Sequence, residues 1–281
     1  MKVFVLGNAQ RSGVVDEVER RLPMLRQKFE VCVLDLNQET ELCDHGPADF
    51  AFVFGGDGAI LRAARQMAYN QIPVLGVNLG RLGFLADVHP EKLEVCAEQI
   101  RQNEYRVSKH IMYECIIEQG GQKRICLGLN EVVVHSVPPF HMLDVGLEID
   151  GVPVAHFGGD GLIISTPIGS TAHNLSAGGP ILTQELSAFV ITPICPHTLT
   201  HRPLVESADK EYRIRLAHPD QPAMIILDGQ EIVNVSSHDR IIIRRAPVQF
   251  QLVKVPGHGY FQTLRDKLRW AAPPSYRGEP F

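Results

Sequence analysis

The sequence predicts an α/β protein of two domains, the first built on a parallel sheet and the second rich in antiparallel strands. Three observations predict it. Over residues 2–104, short apolar runs alternate with helical patterns, as in right-handed βαβ units. From residue 105 the helical period disappears, and apolar runs come in pairs around Gln119-Gly120-Gly121-Gln122, Asp150-Gly151 and Asp228-Gly229, all hairpin-turn sequences. Residues 260–270 read as a helix again, with Phe261, Leu264 and Leu268 on one face. The expected domains are therefore residues 1–104 with the helix 260–271, and residues 105–259.

Taken in order, residues 2–6 form a buried strand, 14–27 a helix and 31–34 a second strand. The loop that follows carries Asp44, Gly46 and Pro47. The apolar run 50–54 is the third strand. It stops at Gly55-Gly56-Asp57-Gly58, where a helical pattern starts at once: strand, tight turn, helix N-terminus. Residues 73–77 form a fourth strand, the glycine-rich loop 76–88 follows, and Pro90 opens a helix to about residue 102. Strands and helices in this order make the first domain Rossmann-like, and ligands of such sheets bind at the carboxyl ends of the strands, where Gly55–Gly58 falls. In the second domain strands are expected at 112–118, 124–129, 132–134, 145–149, 152–157, 224–227 and 231–235. Residues 271–281 are expected to form a loosely ordered end.

Composition narrows the function. The 281 residues, 44% hydrophobic and 21% charged, are those of an ordinary globular protein. A net charge of −5 without a long Lys/Arg block argues against a nucleic-acid partner. No apolar segment reaches membrane-spanning length, and the five-residue apolar run near the N-terminus is too short for a secretory signal. A cytoplasmic location without a membrane partner is expected. The six cysteines (Cys32, Cys43, Cys96, Cys115, Cys126, Cys195) lack any C-x-x-C spacing and read as reduced, mostly buried thiols.

Chemistry concentrates at the glycine turn. Gly55, Gly56 and Gly58 carry no Cβ to keep a phosphate from the backbone N–H groups, and the helix dipole favours an anion there. Asp57 is the exception. A carboxylate repels polyphosphate unless it accepts a proton or meets a cation, though alone it also reads as a helix cap. Arg62, one turn into the helix, is a plausible phosphate partner. Neither G-x-x-x-x-G-K-[ST] nor a G-x-G-x-x-G after the first strand is present, so a nucleotide site is built differently.

Four further stretches carry candidates. Asn130-Glu131 opens an apolar strand. Asn both donates and accepts, and Glu accepts two hydroxyls, which suits a nucleoside with its ribose diol; alone the pair also reads as a strand-entry turn. Gly158-Gly159-Asp160-Gly161 precedes residues 165–176, where short hydroxyl side chains and exposed N–H groups suit a flat ligand or its phosphates. Gly178-Gly179-Pro180 behind them argues for a tightly specified backbone. His197 and His201 stand four apart between prolines and lack a third ligand, so no metal is assigned. Asp228-Gly229-Gln230 reads first as a hairpin turn, with Gln230 a secondary ligand candidate.

In order and spacing, GGDGAILRAAR, GVNLGRLGFL, LNEVVVH, GDGLIISTPIGSTAHNLSAGGP, PICPHTLTHRP, DGQ and LRDKLRW resemble the NAD kinase family. The resemblance implies transfer of the γ-phosphoryl of ATP, or in some members of inorganic polyphosphate, to the 2′-hydroxyl of the adenosine ribose of NAD, giving NADP. It implies Asp57 as proton acceptor and NAD contact, with Gly58, Asn130 and Glu131 at the adenosine. Asp160 then faces the nicotinamide amide, and Thr171, Ala172, His173, Asn174, Leu175 and Ser176 surround the adenine. His141, Gly158 and Gln230 align with further NAD contact positions, while Gly55, Gly56, Gly58 and Arg62 go with the phosphates of ATP. Mg²⁺, a homo-oligomer (dimer or tetramer) and a final helix returning to the first domain are also implied. Four positions depart from the family pattern: Ala59 replaces the Thr after GGDG, Ile168 the Thr of TPTGS, His173 a stacking Tyr, and Gly158 the Arg of some relatives. They bear on donor preference and on NAD against NADH. Two rival readings use the same residues. One is a lipid or sugar kinase sharing the glycine turn, which leaves Asn130-Glu131 unexplained; the other is a catalytically silent NAD(H)-binding regulator.

Overall fold

The computed structural model describes residues 1–80, 83–198, 200–218, 222–256 and 260–270; the expected loose end, 271–281, lies outside them. The chain divides into two units. One comprises Met1–Gln66, Ile72–Ser108 and Leu252–Phe281, the other Met67–Gln71 and Lys109–Gln251. The break expected after residue 104 falls instead after Ser108, inside a strand, and the first unit takes up the chain again from Leu252.

The first unit contains β1 (Lys2–Gly7), α1 (Val14–Lys28), β2 (Glu30–Asp35), β3 (Phe50–Phe54), α2 (Asp57–Gln66), β4 (Val74–Val77) and α3 (Leu93–Arg101). The strands run parallel in the order β2-β1-β3-β4. Every residue of β3 is buried, as expected of a parallel strand covered on both faces. Its phenylalanines pack with Val3 and Val5, with Val14, Val18 and Leu25 of α1, and with Leu93, Ala97 and Ile100 of α3. Register matters more than packing for function. Gly7 pairs with Phe54 and Phe54 with Val77, so β1, β3 and β4 end level with one another. The loops after these three strands leave from one carboxyl edge.

The second unit is antiparallel. It holds most of β5 (Arg106–Gln119), then β6 (Gln122–Gly128), β7 (Glu131–Ser136), β8 (Leu143–Ile149), β9 (Val152–Gly159), β10 (Gly161–Ser165), the short helix α4 (His173–Ser176), β11 (Ala188–Ile194), β12 (Leu204–Ser207), β13 (Tyr212–Leu216), β14 (Ala223–Leu227), β15 (Glu231–Val235) and β16 (Arg240–Lys254) to residue 251. One sheet has the order β12-β11-β10-β7-β14-β15; β8, β9, β13 and β16, with β5 and β6, belong to the other. Their apolar faces share a core that includes Tyr113, Val132, Val134, Leu147, Leu162, Ile191, Ile214 and Ile225. The three predicted hairpins are present. Gly120, Gly121, Asp150, Gly151, Asp228 and Gly229 all have φ between 51° and 80°, the left-handed geometry that tight hairpins demand. Two features differ from expectation. The unit is not purely β, because residues 169–176 form a 3₁₀ turn and α4. Strands β10, β11, β12, β13 and β16 lie outside the predicted set, β16 because Arg244, Arg245 and Pro247 break its apolar run.

Back in the first unit, Leu252 of β16 pairs in parallel with Val74, and α5 (Tyr260–Leu268) follows. Leu264 of α5 is buried as expected, but Phe261 is 55% exposed; Thr263 takes the buried place beside Leu264.

Candidate active site

At the end of β3 the Gly55 N–H donates to the Val77 carbonyl (2.9 Å) and the Ala59 N–H to the Gly56 carbonyl (2.9 Å), which closes the turn into α2. Gly55 has φ 143°, and a Cβ there would lie 2.7 Å from Cβ of Ala59, so only glycine fits. Ala59 itself is buried against that turn.

The Asp57 carboxylate is held by the loop after β4. Oδ2 accepts the N–H of Phe84 (2.8 Å), and Oδ1 accepts those of Leu85 and Ala86 (3.0 Å each). A Cβ on Gly83 would lie 2.0 Å from Oδ1, which explains the second glycine of GRLGFL. The Lys267 ammonium sits 4.6 Å from the Phe84 ring centroid, so α5 steadies the same loop. Asp57 is thus oriented in advance, with both lone pairs of Oδ1 engaged and one left on Oδ2. Gly58 follows it in the first turn of α2. Arg62, expected at the phosphates, is paired with Gln38 in the ligand-free chain. Its Nε donates to Oε1 of Gln38 (2.8 Å), and Nε2 of Gln38 donates back to the Arg62 carbonyl (3.0 Å). The amide matches the arginine at both ends and draws it toward the loop after β2.

The second unit builds its centre on Asp228. Three successive N–H groups, of Leu129, Asn130 and Glu131, donate to its carboxylate at 2.9, 2.8 and 3.1 Å, and the Tyr113 hydroxyl donates at 3.0 Å. The turn of the DGQ motif is therefore also the anchor of the Asn-Glu pair. Gln230, two residues on and exposed, shares that anchor. Glu131 lies beside it, 4% exposed, and its Oε2 has no hydrogen-bond partner among the described residues. Burial, reinforced by the charge of Asp228, pushes the Glu131 carboxyl up to about 8, so it keeps its proton at neutral pH.

The hydroxyl-rich segment lies against this pair. Ser165 pairs with Glu131 across β10 and β7. The Thr166 N–H donates to the Asn130 carbonyl (2.8 Å) and its hydroxyl to that of Leu129 (2.5 Å). A Cβ on Gly169 would lie 2.2 Å from the Asn130 oxygen. Ile168 is buried, so that departure is one of core packing. The Thr171 hydroxyl donates to the Ile168 carbonyl (3.2 Å). Asn174 is taken up by the fold. Its amide donates to the carbonyls of Ser170 and Pro180 (3.1 Å each), and its oxygen accepts the Thr192 hydroxyl (2.6 Å). Both N–H donors are thereby committed, and the side chain staples α4 instead of facing a ligand. His173 and Ser176 are exposed, and Ala172 and Leu175 are half-buried. Burial, with a contribution from His135, lowers His173 below the ordinary histidine value.

Asp160, Gly158 and His141 gather at one end of β8 and β9, where Leu143 pairs with Gly159. The Asp160 N–H donates to the Ile194 carbonyl (3.0 Å), and the exposed thiol of Cys195, hydrogen-bonded to the Asp160 side chain, is pushed up by that carboxylate. The Asp160 carbonyl accepts the Ser136 N–H (3.2 Å), which ties this cluster to the strand that carries Glu131. Among the described residues no group of three or more His, Cys, Asp or Glu is arranged to hold a metal, and His201 packs edge-on to Phe157 instead (4.9 Å). Sequence reasoning missed Asp228, Tyr113 and the N–H donors of residues 84–86. An Asp in an Asp-Gly turn reads as a turn former, and backbone donors leave no mark in a sequence.

Residues 8–105 match the model of the ATP-NAD kinase N-terminal domain and residues 129–255 that of the ATP-NAD kinase C-terminal domain. An NAD kinase of Rhodopirellula baltica is 41% identical over 271 residues, 96% of this chain and 87% of that one. The chain belongs to the NAD kinase family. Another NAD kinase, from Carboxydothermus hydrogenoformans, is 38% identical over 85% of this chain and 84% of its own. Among solved structures, an Archaeoglobus fulgidus NAD kinase in complex with ATP superposes with a TM-score of 0.77 at 31% identity, covering 96% of this chain and 99% of that one. Yeast NADH kinase complexed with NADH has the same fold, with a TM-score of 0.88 at 20% identity over 100% of this chain and 90% of its own. As a member of the NAD kinase family the chain is a phosphotransferase that converts NAD to NADP. This replaces the lipid- or sugar-kinase and silent-regulator readings.

Proposed function

We propose that ATP is the phosphoryl donor, that the 2′-hydroxyl of the adenosine ribose of NAD is the acceptor, and that Asp57 takes the hydroxyl proton. The observation that carries the acceptor side is Glu131. A buried carboxyl with an unpartnered oxygen is costly in the free protein, and a ribose diol supplies the missing hydrogen bonds. Asn130 beside it adds a donor and an acceptor. The exposed side chains of the 171–176 segment, His173 and Ser176, bracket the adenine; His141, Gly158, Asp160 and Gln230 make the remaining NAD contacts.

A ribose hydroxyl is a weak nucleophile, so a fixed carboxylate helps by accepting its proton as the new O–P bond forms and the bond from the γ-phosphorus to the leaving ADP oxygen breaks. The open lone pair on Oδ2 of Asp57 fits that task, and the three N–H donors on the carboxylate hold it in position. Gly55, Gly56 and Gly58 leave the phosphates room at the start of α2. Mg²⁺ would be held chiefly by the phosphates of the nucleotide and would neutralise part of their charge. ATP is favoured over polyphosphate by the ATP-NAD kinase description of both matched domains and by the ATP complex of the A. fulgidus relative. A homo-oligomer fits the exposure of Phe140 (70%) and Met142 (47%) around His141, and a cytoplasmic location fits six free thiols. The test is direct: purified protein with NAD, Mg²⁺ and either ATP or polyphosphate, followed for NADP. NADP formed with polyphosphate and not with ATP would overturn the donor assignment.

A further inference from the structure

The loop after β1 takes no part in the chemistry described so far, yet it stands next to the glycine turn. Gly7 pairs with Phe54, so residues 8–13 and 55–58 leave the sheet side by side. The loop is well anchored. The Ala9 N–H donates to the Leu36 carbonyl (2.8 Å), the Arg11 N–H to the Asn8 carbonyl (3.0 Å), and the Gln10 N–H to Oδ1 of Asn8 (3.1 Å). This geometry carries the Arg11 guanidinium over the turn, with Nη1 2.9 Å from where a Cβ on Gly56 would be.

Two things about that placement are unusual. Arg11 is exposed and has no carboxylate partner among the described residues; Asp57, the acid of the glycine turn, is occupied with the N–H groups of residues 84–86. It also lies at the start of α2, the positive end of the helix dipole, where a cation is disfavoured and an anion favoured. An unpaired cation beside N–H donors of the same sign is an arrangement that an anion completes. A triphosphate is such an anion, and a guanidinium grips phosphate oxygens through two parallel N–H bonds.

We propose that Arg11 is a binding residue for the phosphate chain of the donor, laid across Gly56 from the loop after β1, and that it replaces Arg62 in that part. The proposal rests on the reading of Gly55–Gly58 as the donor site. It is specific to polyphosphate chemistry and does not depend on whether the chain belongs to ATP or to inorganic polyphosphate.

The test is steady-state kinetics of Arg11→Ala, Arg11→Lys and Arg62→Ala, with the donor and NAD varied separately. Arg11→Ala is expected to raise the KM for the donor about tenfold, the worth of one exposed charge-assisted contact. The KM for NAD and the melting temperature should stay near wild type. Arg11→Lys should recover part of the loss, since it keeps the charge and loses the two-pronged grip, and the effect should shrink at high salt. Arg62→Ala should change the donor KM little. Equal donor KM values in Arg11→Ala and wild type would overturn the proposal, as would a matching rise in the KM for NAD. Running every variant with both ATP and polyphosphate keeps the two questions apart. A wild type active only with polyphosphate refutes the ATP assignment, while the same variants still decide on Arg11.

Discussion

Replacing Glu131 by glutamine should stabilise the ligand-free enzyme at alkaline pH while weakening its grip on NAD. Burial, then the charge of Asp228, raise the carboxyl from an ordinary 4.5 to about 8. In the unfolded chain it ionises near 4.5; in the folded chain it keeps its proton to about 8. Between those values the native state holds a proton that the unfolded state has lost, so stability falls as pH rises through that window. Each pH unit is worth about 1.4 kcal/mol, and three to four units give about 4–5 kcal/mol as the full penalty at pH 8 and above. A glutamine side chain fills the same space and does not titrate. The variant should therefore melt close to wild type near pH 5 and on the order of 10 °C higher at pH 8. Its KM for NAD should rise about five- to a hundredfold, since the two hydroxyl donors of the ribose diol favour the ionised carboxylate, which accepts both, while an amide has a single acceptor oxygen. Thermal melts of the ligand-free protein from pH 5 to 8.5 measure the first effect and steady-state kinetics the second. Parallel pH–stability curves for wild type and Glu131→Gln would show that the carboxyl is not kept neutral by burial, and the argument for a ribose pocket at Oε2 would fall with it.

Asp57→Asn should lower kcat about 10²- to 10⁴-fold. It should also lower the melting temperature, because one amide oxygen cannot accept the three N–H groups of residues 84–86; undiminished turnover would remove Asp57 from the chemistry. Asp228→Asn leaves a single acceptor for donors that include three backbone N–H groups and Tyr113. The KM for NAD should rise while the KM for ATP holds, and any pH dependence of NAD binding that stems from Glu131 should move to lower pH as the neighbouring charge disappears. A fall in stability alone, without that shift, would make Asp228 purely structural. Protonating His173 charges and hydrates the ring that is proposed to bracket the adenine and weakens its stacking there, so the KM for NAD should worsen as pH falls. Because burial and His135 hold this histidine below its ordinary value, the onset should come below about pH 6.5 and vanish in His173→Tyr. Superimposable pH profiles for the two proteins would mean that the ring touches no ligand.

What was legible in the sequence is what periodicity and turn chemistry encode. The parallel strands, the glycine turn and the three hairpins follow from local patterns that the tertiary structure does not override. Asn130-Glu131 and residues 165–176 were legible as candidates, and the strand register that sets Ser165 opposite Glu131 brings them together. The rest was hidden for particular reasons. Asn174 looks like a ligand donor until Ser170, Pro180 and Thr192 claim its amide. Arg62 has the right charge and helix position for a phosphate, and a glutamine on another strand's loop decides where it points. Strand β16 carries arginines and a proline because one of its faces is wet, which spoils the apolar run that a sequence reading depends on.

The residues hidden from the sequence share a physical character. Asp57, Asn130 and Glu131 make chemical sense from their side chains alone, but each is aimed by partners that are backbone groups or remote in sequence. Residues 84–86 give Asp57 only N–H groups, which any residue but proline would supply. Asp228 receives the N–H groups of Leu129, Asn130 and Glu131 from 97 to 99 positions away. A motif thus records the group that meets the substrate, while the groups that orient it are recorded in topology. For Asp228 the two roles have one cause. The same negative charge that draws three N–H groups to itself, and so fixes the turn, also disfavours ionisation of Glu131. Orientation and protonation state of the Glu131 carboxyl are therefore set together, and a substitution at Asp228 cannot change one without the other.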